Sequence, residues 1–105
     1  MLNMNKLIED GKVGIVYSPG FGAGWYTWNL ESPEILFDPN IVTYVETERW
    51  DELKVYMELK YPDLYLGAIE DLTVEWIPVG TQFKIKEYDG SESIEYRNDD
   101  DWLTA

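Results

Sequence analysis

The chain of 105 residues contains no cysteine and no histidine. The first absence excludes disulfides, thiolate metal ligands and cysteine nucleophiles. The second removes imidazole from zinc sites and from the Ser-His-Asp relay of hydrolases. A chain without cysteine also fits a reducing cytoplasm. Carboxylates remain as abundant reactive groups, but Asp99, Asp100 and Asp101 lack calcium-loop spacing, and an acid–base pair from Glu70, Asp71 and Glu75 is not indicated by spacing. We therefore predict a protein that is not an enzyme, with no catalytic residue, no metal site and no cofactor.

Basic residues are scarce, since eight lysines and arginines stand against 21 aspartates and glutamates, and the formal net charge is −13. Such a charge repels the phosphates of nucleic acids, so direct binding to nucleic acid is not expected. The same field attracts a basic protein surface and speeds association with it. The alternative is that the acidity serves only to keep the protein in solution.

Long apolar runs are missing as well. No segment is long enough to span a bilayer, and residues 1–14 lack the basic start and apolar run of a signal peptide. We therefore expect a cytoplasmic protein that does not bind membranes. With 45% hydrophobic residues over 105 positions, the chain is expected to fold as a single domain, 1–105. Its acidic C-terminal segment, 98–105, is expected to be loosely attached.

Aromatic residues, in contrast, are plentiful, with five Trp, eight Tyr and three Phe. Residues 18–29, here called the glycine loop, combine four aromatic rings with three glycines at alternate positions. One hypothesis is a tight loop whose rings cover the core. The other is a ligand site in which backbone N–H groups form an anion-binding concavity and a ring stacks on a nucleotide or sugar. The residues of that second site would be Ser18, Gly20, Gly22, Gly24, Trp25 and Trp28.

The N-terminal third of the chain predicts one helical segment and two strands. Residues 3–10 form one or two helical turns that end at Gly11. Residues 12–17 are rich in β-branched and aromatic side chains and predict a strand. Residues 25–30 return as a second strand, so that the glycine loop connects a hairpin.

Helices are predicted in the middle of the chain. The sequences Ser-Pro-Glu at 32–34 and Asp-Pro-Asn at 38–40 each place a capping residue before a proline, which is a typical helix start. Residues 39–45 are assigned to a short helix on this basis, with a strand as the alternative. The clearest helix covers 49–61, where an apolar face is formed by Trp50, Leu53, Met57 and Tyr61.

Strands dominate the C-terminal part. Residues 73–77 and 82–88 alternate in polarity, with a turn at 78–81, and Asp89-Gly90 is a strong signal for a two-residue hairpin turn. That turn pairs Ile85 with Ile94 and sets Glu87 against Glu92, a like-charge pair that is unfavourable. Either these carboxylates lie near the solvated tip or the loop is longer than two residues. The predicted fold class is α+β, with a mostly antiparallel sheet of about four to five strands packed against one main helix, about 49–61, and one or two short helical segments.

Three passages carry a resemblance: Ser-Pro-Gly-Phe-Gly-Ala-Gly-Trp-Tyr-Thr-Trp-Asn at 18–29, Val-Glu-Trp-Ile-Pro-Val-Gly-Thr-Gln-Phe at 74–83 and Tyr-Asp-Gly-Ser-Glu-Ser-Ile at 88–94. They resemble passages of small phage and prophage proteins that have no assigned activity, and the resemblance extends over most of the chain. It implies a context rather than a site, because no catalytic or binding residue can be transferred. Short acidic phage proteins frequently block a host factor, including host defence nucleases, and some imitate the charge of DNA.

Three functions are consistent with these features. The leading hypothesis is a non-enzymatic interaction protein that blocks a basic surface of a host protein, with carboxylates for charge and exposed aromatics as anchors. The residues assigned to it are Glu70, Asp71, Asp99, Asp100, Asp101, Tyr65 and Trp102. The alternatives are a nucleotide-binding or sugar-binding module built on the glycine loop and a structural phage component.

Overall fold

The computed structural model describes residues 6–96 and 103–105. It contains the strands β1 (Ile8–Glu9), β2 (Lys12–Tyr17), β3 (Thr73–Pro78), β4 (Gln82–Tyr88), β5 (Ser91–Tyr96) and β6 (Leu103–Thr104). The helices are α1 (Pro39–Glu46) and α2 (Trp50–Lys60), and short 3-10 turns cover Tyr26–Trp28, Pro33–Leu36 and Ile69–Asp71. The predicted α+β class, with antiparallel strands and one main helix, is confirmed.

The strands form two antiparallel three-stranded sheets, ordered β1-β2-β3 and β5-β4-β6. The central strand of the first sheet, β2, is buried on both faces. Val16 packs with residues of α1 and α2, whereas Val13 and Ile15 pack with Phe83 of the second sheet. The first sheet therefore lies between the helices and the second sheet, which explains the nearly continuous apolar sequence of β2.

The helices predicted at 39–45 and 49–61 are confirmed. The Asp38 side chain caps α1 by accepting from the backbone N–H groups of Asn40 and Ile41, and Pro39 occupies the first turn. In α2, Leu53 and Met57 are fully buried as the periodicity predicts. Their burial joins the helix layer to the first sheet.

The N-terminal helix predicted at 3–10 is wrong over residues 6–10, and residues 3–5 lie outside the described residues. There the chain forms β1, which turns at Asp10 and Gly11 and pairs with β2. Both turn residues have positive φ, 51° and 74°. Asp-Gly favours this two-residue turn because glycine, and to a lesser degree aspartate, tolerates the left-handed region.

The strand predicted at 25–30 is also wrong. The segment forms the 3-10 turn Tyr26–Trp28, and β2 pairs instead with β3, for example Val13 with Ile77. The physical reason is that the backbone N–H groups of Trp25 and Thr27 donate to the buried carboxylate of Glu92, so they are not available to a neighbouring strand.

The register of the β4–β5 hairpin is confirmed, with Ile85 opposite Ile94 and Glu87 opposite Glu92. The loop is not longer than two residues, because Tyr88 pairs with Ser91. A solvated tip accounts for Glu87, which is exposed, but not for Glu92, which is only 1% exposed. Of the segment 98–105, residues 98–102 lie outside the described residues. At its end, β6 pairs with β4, and the N–H of Ala105 donates to the carbonyl of Thr81.

Candidate functional site

The buried carboxylate of Glu92 organises the glycine loop. Its Oε1 accepts from the backbone N–H of Ser18 at 2.9 Å. Its Oε2 accepts from the N–H groups of Trp25 at 2.9 Å and Thr27 at 2.8 Å and from the Thr27 hydroxyl at 2.6 Å. Four donors thus satisfy one carboxylate, as burial of a charged group requires.

This arrangement bears on the anion-binding hypothesis for the loop. Backbone N–H groups of the loop do converge on an anion, but that anion is a side chain of the same protein. An external phosphate or carboxylate would have to displace Glu92 from a site where it is nearly inaccessible. The geometry therefore favours the hypothesis of a tight, internally bonded loop.

Further bonds attach the glycine loop to the tip of the β4–β5 hairpin. The N–H of Gly22 donates to the carbonyl of Asp89 at 2.8 Å, and the Ser91 hydroxyl donates to the carbonyl of Pro19 at 2.7 Å. Ser18 is buried, and its hydroxyl donates to the carbonyl of Ala23 at 3.1 Å. The loop and the hairpin tip consequently form one ordered unit.

Gly90 is the position at which that contact leaves no space for a side chain. It has a φ of 85°, and a Cβ there would overlap the backbone nitrogen of Ala23 and lie 2.8 Å from the carbonyl carbon of Gly22. Gly80 is a matched control, since its φ is 90° and a Cβ there would meet nothing within 4 Å.

We expect Gly90→Ala to lower the free energy of unfolding by about 2 kcal/mol more than Gly80→Ala, because only Gly90→Ala adds a steric overlap to the backbone strain. Urea denaturation of both variants and the wild type measures the difference. Equal losses for the two variants would show that the loop does not pack against the hairpin tip.

The remaining loop residues of the ligand hypothesis have different environments. Trp25 is fully buried and its indole N–H donates to the carbonyl of Ile35 at 3.2 Å, so its ring belongs to the core. Gly20 lies beside Asp71, Gly22 has a φ of 108°, and Gly24 lies under the ring of Trp28. Of the two tryptophans assigned to that hypothesis, Trp28 is the exposed one.

Trp28 and Tyr65 form an exposed aromatic pair. Their ring centroids lie 5.1 Å apart at a tilt of 44°, and the two residues are 42% and 48% exposed. The indole N–H of Trp28 donates to Oε2 of Glu87 at 3.2 Å. Both carboxylates of the like-charge pair thus contact the glycine loop. Glu87 binds an exposed ring of the loop, whereas Glu92 binds its backbone N–H groups.

The buried side chain of Asn29 holds the aromatic pair in place. Its amide N–H₂ donates to the carbonyls of Trp25 at 2.9 Å and Tyr65 at 3.0 Å, and its Oδ1 accepts from the N–H of Tyr65 at 2.9 Å. Because both backbone groups of Tyr65 are bound by one side chain, the backbone that carries the ring is held beside Trp28.

The residues predicted for partner binding are only partly described. Tyr65 belongs to the aromatic pair, and Glu70 and Asp71 are exposed at the 3-10 turn Ile69–Asp71. Glu70 forms an ion pair with Lys54. The other predicted residues, Asp99, Asp100, Asp101 and Trp102, lie outside the described residues.

Internal ion pairs occupy several of the few basic residues. Lys54 binds Glu70, Arg49 binds Glu52 at 3.5 Å, Lys60 binds Asp38 at 3.0 Å and Lys86 binds Glu95 at 3.0 Å. Other carboxylates are exposed, and they lie on several elements: Glu9, Asp10, Glu31, Glu48, Asp51, Glu58, Asp63, Asp71 and Asp89. The surface is therefore acidic over more than one region.

Asp38 has a second role beside the helix cap that the sequence predicts. Its Oδ2 accepts from the hydroxyls of Tyr56 at 2.6 Å and Tyr61 at 2.8 Å and from Nζ of Lys60 at 3.0 Å. The signal available in the sequence was the spacing of Tyr56, Lys60 and Tyr61, which places three donors along one edge of α2 and its C-terminal end.

The electrostatics of this cluster follow from burial and hydrogen bonding. Burial favours the neutral form of Asp38, but the bonds from Tyr56, Tyr61 and Lys60 outweigh it, and the pKa of Asp38 is lowered. Burial and the bond to Asp38 raise the pKa of Tyr61. The cluster joins the start of α1 to the end of α2 and has the features of a structural site.

A second tyrosine–carboxylate cluster connects the two sheets. Glu75 of β3 accepts from the hydroxyls of Tyr17 at 3.4 Å and Tyr96 of β5. Burial and the bond to Glu75 raise the pKa of Tyr96 to about 12. Both hydroxyls therefore remain protonated donors at neutral pH, which suits a structural link between sheets.

Across residues 6–96 and 103–105, no group of three or more carboxylates is arranged to hold a metal ion. No helix within those ranges combines the length and the apolar character needed to cross a bilayer. Comparisons with protein-family models, with curated proteins and with solved structures found no significant match to this chain.

Proposed function

We propose that this is a non-enzymatic acidic protein that binds a basic surface of another protein through the aromatic pair, Trp28 and Tyr65, and neighbouring carboxylates. The observation that carries the proposal is an exposed pair of rings in mutual contact, in which Asn29 holds the backbone of Tyr65 and Glu87 holds the indole of Trp28. Rings ordered before binding lose little conformational entropy in a complex, and Trp and Tyr are the commonest anchors of protein interfaces.

The carboxylates around the pair supply the charge. Glu87 is exposed and bonded to Trp28, and Asp71 lies beside Gly20 at the other end of the glycine loop. A lysine or arginine of the partner can bind these carboxylates, and an arginine can also stack on the rings. The net charge of −13 adds a long-range attraction that speeds the encounter.

The resemblance to small phage proteins suggests the biological setting of this proposal. The partner is then a protein of the host cell, and the bound protein blocks its basic surface. Enzymes that hold DNA on a basic surface, such as defence nucleases, are partners that fit an acidic inhibitor, because their surface already selects for negative charge.

We expect the double variant Trp28→Ala, Tyr65→Ala to lose affinity for its partner by about tenfold or more, because it removes two fixed anchors. Partners are isolated on the immobilised protein from bacterial lysate at low salt and identified by mass spectrometry, and affinities are then measured with the purified partner.

The charge-reversal variant Glu70→Lys, Asp71→Lys is expected to slow association with the partner rather than speed dissociation.

Val79→Ala is the control for the loss of exposed apolar surface, since Val79 is 52% exposed in the turn between β3 and β4. It is expected to bind as the wild type does. Binding that is unaffected by the double variant, or that stays constant as salt rises from about 0.1 to 0.5 M, would contradict the proposal.

A further inference from the structure

The outward face of α2 carries two exposed apolar residues one helical turn apart. Val55 is 56% exposed and Leu59 is 81% exposed. They lie opposite the buried face formed by Leu53 and Met57, so they are not part of the core. Residues four apart on a helix are neighbours, and these two form a continuous apolar strip.

The strip borders an open groove, here called the helix groove, of about 420 Å³. Tyr44 of α1 and Tyr56 of α2 line it, with their rings in an edge contact at 5.8 Å between centroids. Val55 and Leu59 line it as well. The groove is thus an apolar depression between two helices, of the kind into which a further helix can pack.

Acidic side chains line the N-terminal part of the groove. Asp51 and Glu52 border it, and an adjoining depression of about 270 Å³ is lined by Glu48 together with both of them. Arg49 is the basic residue at this end, and it is paired with Glu52 at 3.5 Å. The helix spacing also brings the exposed Glu58 next to the apolar strip.

We propose that the helix groove binds a basic amphipathic helix of a partner protein, with the partner's apolar side chains on Val55 and Leu59 and its lysines or arginines against Asp51 and Glu52. This goes beyond the function proposed above, because it involves a different surface and specifies the shape of the ligand. An apolar floor with an acidic border is complementary to a helix that alternates leucine-like and basic residues at helical spacing.

The acidic border of the helix groove favours a basic helix over a second copy of the chain or an anionic lipid surface. A second copy of the chain would bring another net charge of −13 against an acidic border. An anionic lipid surface would be repelled for the same reason. A basic helix is attracted by the border and covers the apolar strip.

The experiment uses the full chain and a fluorescent peptide of 18 residues made only of leucine and lysine, with leucine at helical spacing. Binding is measured by fluorescence anisotropy at low salt. We expect saturable binding, with an affinity about tenfold lower for the double variant Val55→Ser, Leu59→Ser, since burial of both side chains is lost. The double variant Asp51→Asn, Glu52→Gln is expected to bind more weakly and with less dependence on salt.

Controls separate this proposal from non-specific charge attraction and from the function proposed above. A peptide of the same composition with scrambled order keeps the charge and loses the apolar face, and it is expected to bind at least tenfold more weakly. The variant Glu31→Gln removes an exposed carboxylate outside the helix groove. The double variant Trp28→Ala, Tyr65→Ala removes the aromatic pair. Both are expected to bind the ordered peptide with the affinity of the wild type.

Equal binding of the scrambled peptide, or unchanged binding by the Val55→Ser, Leu59→Ser variant, would overturn the proposal. Circular dichroism confirms that each variant is folded, which is expected because the two side chains are exposed. Failure here leaves the role of the aromatic pair intact, since that role is measured with other variants and another ligand.

Discussion

Replacing Glu92 by alanine is expected to lower the free energy of unfolding by about 3 to 5 kcal/mol, a large part of the stability of a small domain. The variant leaves the N–H groups of Ser18, Trp25 and Thr27 without their acceptor, and unsatisfied buried donors are unfavourable. Glu92→Gln is expected to lower the free energy of unfolding by less, about 2 kcal/mol, because its amide oxygen can still accept from the donors that bind one of the two carboxylate oxygens.

Glu95→Ala is the matched control, with the same residue type on the same strand. Glu95 forms a partly exposed ion pair with Lys86, so its loss is expected to change stability by less than about 1 kcal/mol. Denaturant unfolding followed by tryptophan fluorescence measures all three variants. A Glu92→Ala variant as stable as Glu95→Ala would refute the role assigned to the buried carboxylate.

Asp38→Ala is the second substitution with a large expected effect, again about 3 to 5 kcal/mol at neutral pH. Asp38 is 4% exposed, and its removal leaves the buried hydroxyl of Tyr61, the ammonium of Lys60 and the first N–H groups of α1 without an acceptor. Asp63→Ala, at an exposed aspartate that follows α2, is expected to be nearly neutral.

The same site predicts a dependence on pH whose sign follows from the lowered pKa of Asp38. A group with a lower pKa in the folded state stabilises the protein above its unfolded pKa, about 3.9 for aspartate, and that contribution is lost as the pH falls through the folded value. The gap in stability between wild type and Asp38→Asn should therefore be constant near neutral pH and shrink below about pH 4. A gap that widened in acid would contradict this assignment.

Local signals predicted much of the fold, and their failures have physical reasons. The cap and proline at 38–39 located α1, and Asp89-Gly90 fixed the β4–β5 register. The same Asp-Gly pair at 10–11 forms a hairpin too, although an asparagine cap at 3 or 5 and Gly11 at the end predict a helix there. The pairing of β2 with β3 joins residues about 60 positions apart in the sequence, and no local pattern specifies such a contact.

The candidate site was harder to predict because it depends on burial. The sequence indicated that Glu87 and Glu92 share one face, and it suggested an anion-binding concavity in the glycine loop. It did not indicate that one of these carboxylates fills the concavity. Spacing along the chain identifies which side chains share a face, whereas tertiary packing decides which of them is removed from water.

The position of Glu92 in the chain also has a consequence for synthesis. Its carboxylate accepts from the N–H of Ser18, 74 residues earlier in the sequence. A ribosome must therefore have synthesised the chain through Glu92 before the N–H of Ser18 can find its acceptor. The bonds that close the glycine loop beside the rings assigned to partner recognition thus form only after the helices that precede Glu92 have been synthesised.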